Sequence, residues 1–219
     1  MTAPAPVTAS EQALALLVHR TPVEVLHLLV SPVHRYFGRP KDGPLPFDTD
    51  EHQGVGEATG PASEDRETAD VVAGRGIVGD RFFGKAAHMD AAVTLLAVEA
   101  LEAVAAQLGA VPFDPLLARR NVVLRGAELE PLRGRTFALD CGGGPVLLAG
   151  RRPAAPCAWM DRQLAPGAHA ALRGRGGLRC EPLGSGRLRR GAAVLLSDVP
   201  LDPARAGEAV LPRGGRRLP

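Results

Sequence analysis

The sequence predicts a mainly β fold (α+β by content), a barrel or sandwich with a few peripheral helices. Short runs rich in Val and Leu recur between Gly and Pro residues, as in all-β domains with frequent turns. One stretch alone, Val98–Leu108, carries clear helical periodicity, with Leu101, Val104, Ala105 and Leu108 on one face. Aromatic residues are only 4% of the chain against 26 Gly and 20 Pro, so the core must rest on Leu, Val and Ala joined by many turns. A doubly wound α/β fold would need several alternating helices, which this pattern lacks.

The elements follow in order. Thr8-Ala-Ser-Glu11 fits a capping box, and the apolar run Ala13–Val18 gives either a short helix or a loose arm over residues 1–21. Val23–Val30 is a strand stopped at Ser31-Pro32, and His34–Pro40 is a turn. From Lys41 to Asp70 apolar residues thin out, so 41–70 reads as a long exposed loop, partly disordered. Val71–Ala73 is a short strand, and Gly74–Arg81 a glycine-punctuated loop. Ala92–Leu96 is a strand leading into the helix, which Gly109 stops. Asn121–Arg125, Thr136–Asp140, Val146–Ala149 and Ala192–Leu196 are further strands, with Cys141–Gly144 as a hairpin loop. Pro156–Leu172 holds one short helical stretch. Residues 22–198 thus make the folded domain, and 199–219 a flexible tail.

Composition bounds the function. At 219 residues, 45% hydrophobic and 23% charged, the chain suits one soluble domain. It has no run of about 18 apolar residues and no basic-then-apolar leader, so neither a membrane span nor secretion is expected. A net charge of +2 argues against a nucleic-acid surface. Cys141, Cys157 and Cys180 are an odd set without paired spacing, which fits reduced thiols in a cytoplasm. Of the 26 basic residues only Lys41 and Lys85 are lysines; a GC-rich coding sequence explains the count but not the placement.

Candidate sites are few. Gly74-Arg-Gly-Ile-Val-Gly79 matches G-x-G-x-x-G, but Asp80-Arg81-Phe82-Phe83-Gly84 is a poor helix start, against a dinucleotide site. Arg119-Arg120-Asn121 at a strand mouth suits bidentate capture of phosphate or carboxylate; an isolated Arg-Arg pair is more commonly a solvated surface. Gly174-Arg175-Gly176-Gly177-Leu178-Arg179 reads as a backbone nest for an anion, or as a plain turn. Pro153-Ala-Ala-Pro156 fixes the chain before Cys157, a nucleophile or soft-metal ligand if flanked by arginines, a buried apolar residue otherwise. No G-x-S-x-G occurs, and neither His34, His88 nor His169 has zinc spacing to another His.

Taken in order, Gly76-Ile-Val-Gly79-Asp80-Arg81, Val93-Thr-Leu…Glu99, Arg119-Arg120-Asn121-Val-Val, Pro156-Cys157 and Gly174–Arg179 resemble a MOSC domain, the module named for the C-terminal part of molybdenum cofactor sulfurase. The resemblance spans roughly Val25 to Leu196. It implies a MOSC-type β-barrel and molybdenum cofactor (molybdopterin), with Cys157 as metal ligand and catalytic thiol. It also implies that Arg81, Arg119, Arg120, Asn121, Arg175, Gly176, Gly177 and Arg179 hold the cofactor. By analogy with stand-alone relatives, the expected activity is reduction of small N-hydroxylated substrates, with electrons from a separate reductase. A cofactor or sulfur carrier without turnover is the alternative. The domain has also been linked to pyridoxal phosphate, though a Schiff base has only Lys41 and Lys85 to build on.

Overall fold

Residues 8–36, 38–40 and 64–209 are described by the computed structural model. The Thr8 capping box forms, with Thr8 Oγ1 accepting from Glu11 N, and starts helix α1 (Ala9–Ala15). The chain then enters β1 (His19–Leu28), whose alternating Thr21, Val23 and Val25 point into the core. β2 (Thr68–Val72) and β3 (Gly76–Ile77) follow. Next come β4 (Val93–Ala97), helix α2 (Val98–Leu108), stopped by Gly109 at φ 62°, and β5 (Val122–Arg125). β6 (Thr136–Asp140) and β7 (Pro145–Pro153) form a hairpin around Cys141–Gly144. Helices α3 (Met160–Gln163) and α4 (Ala168–Ala171) precede β8 (Leu178–Pro182), β9 (Gly186–Arg189) and β10 (Gly191–Ser197).

Seven strands close a barrel in the order β1-β10-β6-β7-β8-β4-β5. Neighbours are antiparallel except β4 and β5, which run parallel. A parallel pair needs a crossover longer than a hairpin turn, and α2 supplies it. This explains why the one strongly periodic helix of the sequence sits between those strands. Phe137, Leu28, Leu95, Leu124, Leu139 and Leu148 fill the barrel. Outside it, Leu101 and Val104 of α2 pack with Trp159, Met160 and Leu172. A second sheet, β3-β2-β9, adds Ala69, Val71, Ile77 and Leu188 to the main core.

Four sequence expectations need correction. Residues 68–70 belong to β2, and Glu64, placed in the exposed loop, is buried; residues 41–63 of that loop lie outside the described residues. Leu178 and Arg179, read with Gly174–Gly177 as a nest or turn, begin the strand Leu178–Pro182, and Gly186–Arg189 is a strand that the sequence pattern did not suggest. Within the tail, Leu201 and Ala206 join the core, and Glu128 accepts a hydrogen bond from Asp202 N at 3.1 Å. Residues 210–219 lie outside the described residues. Among the described residues no helix is long and apolar enough to cross a membrane.

Candidate functional site

At one end of the barrel the chain leaving β1, the loop after β3, the mouth of β5 and the segment after β7 enclose a cavity of about 200 Å³. Arg35, Arg81, Arg119, Arg120 and Arg179 line it together with His34, Tyr36, Asn121 and Cys157, and among the described residues no carboxylate does. The charge balance around those guanidiniums is the main feature of the site.

Asn121 builds the frame. Its Oδ1 accepts from Thr94 N at 3.0 Å and Thr94 Oγ1 at 2.8 Å, while Nδ2 donates to Leu29 O and to Asp80 Oδ2 at 3.1 Å. Asp80 also accepts from Ser31 N and Phe82 N. The amide therefore locks β4, the end of β1 and the glycine loop together, and its polar atoms are in use within the protein. The formal G-x-G-x-x-G segment ends in this structural hub, with no helix opening after it.

Arg119 is the one non-glycine residue at positive φ among the described residues, at 57°. It closes a 3-10 turn, Pro115–Ala118, whose N-cap Asp114 accepts from Leu116 N. The left-handed backbone costs a non-glycine residue about 1 kcal/mol or more. It lets the buried guanidinium meet Glu64 at 2.5 Å and Ser31 Oγ at 2.6 Å. Arg35 reaches the same Glu64 at 3.0 Å. Two cavity arginines thus share one buried carboxylate.

Arg120 is held differently. Its Nε donates to Gly176 O at 2.7 Å, and its terminal nitrogens donate to Ala118 O and Ala155 O. These are neutral acceptors, so the charge stays uncompensated. Burial and the neighbouring Arg179 pull its pKa down to about 10. Among the described residues Arg81 and Arg179 likewise have no salt bridge, and burial is the first cause lowering the pKa of both. Arg81 lies over the Phe82 ring at 4.5 Å, and its Nε is buried without a hydrogen-bond partner.

The segment carrying Cys157 is anchored by Ala154 N on Gly177 O at 2.8 Å. Cys157 itself is exposed, whereas Cys180 is buried with its thiol pKa driven up by that burial. Tyr36 stacks on Trp159, centroids 5.8 Å apart, and its hydroxyl donates to Leu117 O at 2.6 Å. Burial raises the Tyr36 pKa, which keeps the phenol neutral.

The structure gathers Arg81, Arg119, Arg120, Asn121, Cys157 and Arg179 at one cavity. It does not bring Arg175 there: that side chain lines a separate small recess with Glu208. Gly176 and Gly177 act as spacers. A Cβ at Gly176 would stand 2.1 Å from Ala154 O, and one at Gly177 2.0 Å from Leu95 O. Their glycine identity serves close backbone approach, and their link to the cavity is the Gly176 carbonyl that holds Arg120. Sequence reasoning passed over Arg35, Glu64 and the hub role of Asp80, because only the fold brings them together. His34 was noticed without a role.

A MOSC domain family model matches residues 68–195 of the chain. No curated protein matches it by sequence. Among solved structures, the YuaD protein of Bacillus subtilis aligns with a TM-score of 0.56 at 15% identity, covering 81% of this chain and 96% of that one. The YiiM protein of Escherichia coli aligns with a TM-score of 0.49 at 14% identity, over 86% and 76% of the two chains. The likeness to YuaD is one of fold.

Proposed function

The chain belongs to the MOSC domain family, and on that premise we propose that its arginine-lined cavity holds a molybdenum–pterin cofactor for an oxidoreductase of small N-hydroxylated substrates. One observation carries the reading: an exposed thiol and three guanidiniums with no carboxylate partner among the described residues face one cavity. The donor set fits such a group. A Cys157 thiolate is a soft ligand suited to molybdenum, and arginine forks match phosphate oxygens. When bound, the cofactor would supply two-electron redox chemistry toward the substrate.

The chain's own residues orient and shield. A guanidinium has five N–H donors; Arg120 uses three on carbonyls, which fixes the plane in which the remaining two are offered. Arg81 and Arg179 bring further N–H donors to the same cavity. Tyr36 stacks on Trp159 along that wall, and its half-buried hydroxyl, bonded to a carbonyl, stays out of proton transfer. Electrons come from a separate donor protein, since three scattered cysteines make no iron–sulfur site. Pyridoxal phosphate does not fit: Lys85 is exposed and off the cavity, and Lys41 lies outside the described residues.

The test is expression in cells able to make the cofactor, followed by metal analysis. Wild type is expected to hold near-stoichiometric molybdenum, and Cys157→Ser to lose it; a metal-free wild type overturns the reading. Because the Cys157 thiol is exposed, a carrier of cofactor or sulfur is the second reading. A carrier would keep the cofactor yet reduce no hydroxylamine when given a chemical electron donor.

A further inference from the structure

His34 lines the same cavity as the arginines, on the segment that leaves β1. The charged and titratable groups around it come from several elements. Its own segment brings Arg35 and Tyr36; the loop after β3 brings Arg81, with Asp80 behind it. The mouth of β5 brings Arg119 and Arg120, β8 brings Arg179, and the segment after β7 brings Cys157. Two carboxylates stand near this set, and both are engaged. Glu64 is bonded to Arg119, Arg35 and Ser31, and Asp80 to Ser31 N, Phe82 N and Asn121. The imidazole therefore shares its cavity with five guanidiniums, of which Arg35 and Arg119 are paired with Glu64.

We propose that His34 is the proton-accepting member of this cavity: as an anion enters among the guanidiniums, the imidazole takes up a proton and becomes a further cation holding it. The proposal rests on the cavity being an anion site, and is independent of which anion or metal it carries.

The physical argument is electrostatic. His34 is on the open rim of the cavity; partial loss of water disfavours imidazolium, and the fields of Arg81 and Arg119 add to that, so its pKa lies below its ordinary value. A dianion cancels the field of those guanidiniums and adds an attractive one, so the pKa rises. Binding then consumes protons between the free and bound values. Affinity is highest below the free value, falls as pH rises through the window, and levels off above the bound value. Within the window the slope is at most about tenfold per pH unit.

Sulfate is the probe, because it stays a dianion from pH 5 to 8 and any proton taken up belongs to the protein. Calorimetric titration of the full chain with sulfate, in two buffers of different ionisation enthalpy, gives the proton count. Net proton uptake with sulfate is expected at pH values between the free and bound His34 pKa, and at most one proton per sulfate. The His34 ring resonances, followed by NMR across pH, should titrate higher with sulfate than without; both readings use wild type and need no variant. His34→Gln should bind sulfate with affinity nearly flat in pH and with proton uptake close to zero. Uptake that survives in His34→Gln, or that disappears in Cys157→Ser instead, overturns the assignment. Sulfate binding without uptake overturns it too, while leaving the anion reading in place. No sulfate binding at any pH overturns both.

Discussion

Arg125, on the outside of β5, meets Glu102 at 2.5 Å, and Arg135 meets Asp198 at 2.6 Å. A few residues before Arg125, at the mouth of the same strand, Arg120 meets only main-chain carbonyls. Each of these two outer arginines is neutralised by one carboxylate in a contact that water screens. Inside the cavity the same residue type divides. Arg35 and Arg119 share Glu64, while Arg81, Arg120 and Arg179 have no carboxylate partner within the described residues. The contrast separates two uses of arginine that composition alone conflates. Where a carboxylate is supplied, the pair holds the fold; where none is, the charge is available to the anion proposed above.

Removing the carboxylate from the compensated half should have the largest effect. Glu64→Gln keeps the shape but leaves the buried Arg119 guanidinium without its counter-charge, and Arg35 loses the same partner. Breaking a buried pair from one side destabilises by about 3–5 kcal/mol. Urea denaturation should show a loss of that size. A loss below about 1 kcal/mol would mean that Glu64 is no more important than the surface partners.

The uncompensated half should respond the opposite way, in binding before stability. Arg120→Ala removes charged donors from the cavity and leaves no carboxylate stranded. Sulfate affinity should weaken by about 1.5–3 kcal/mol, roughly 10- to 150-fold, the range for hydrogen bonds to a charged group. Arg175→Ala is the control that sharpens this. It sits within the glycine-rich motif yet lines another recess, so sulfate affinity should be unchanged. Equal losses in the two variants would show that the effect is long-range charge and not the cavity.

The sequence's legibility followed the same division. Elements set by local pattern were readable: the Thr8 capping box, the periodic face of α2 with Gly109 after it, and the hairpin at Cys141–Gly144. The strand β8 was not, because Gly176 and Gly177 look like turn residues until Ala154 and Leu95 are placed against them. Glu64 was hidden for a related reason. It lies within a polar stretch that looks like solvated loop, and only the fold delivers Arg119 and Arg35 to it. Arg119-Arg120 read as one anion-holding pair; two successive side chains diverged because Arg119 alone adopts positive φ. No local pattern distinguishes a paired arginine from an unpaired one.

The smallest effect belongs to the outer pairs, and it has a defined pH course. The hydrogen bond from Arg125 holds the Glu102 carboxyl below its ordinary pKa. A lowered folded-state value contributes stability that is present above the unfolded-state pKa and disappears as pH falls through the folded one. Both side chains are nearly half exposed, at 43% and 49%, so screening leaves the pair worth no more than about 0.5 kcal/mol. Arg125→Ala should therefore be slightly less stable than wild type at pH 7, and the gap should close on titration below about pH 4. Raising salt to 1 M should close it too, because the Debye length falls to about 3 Å. A gap that persists in acid and in salt would mean that Arg125 contributes by packing its stem on the barrel, and the outer arginines would then not be simple charge pairs.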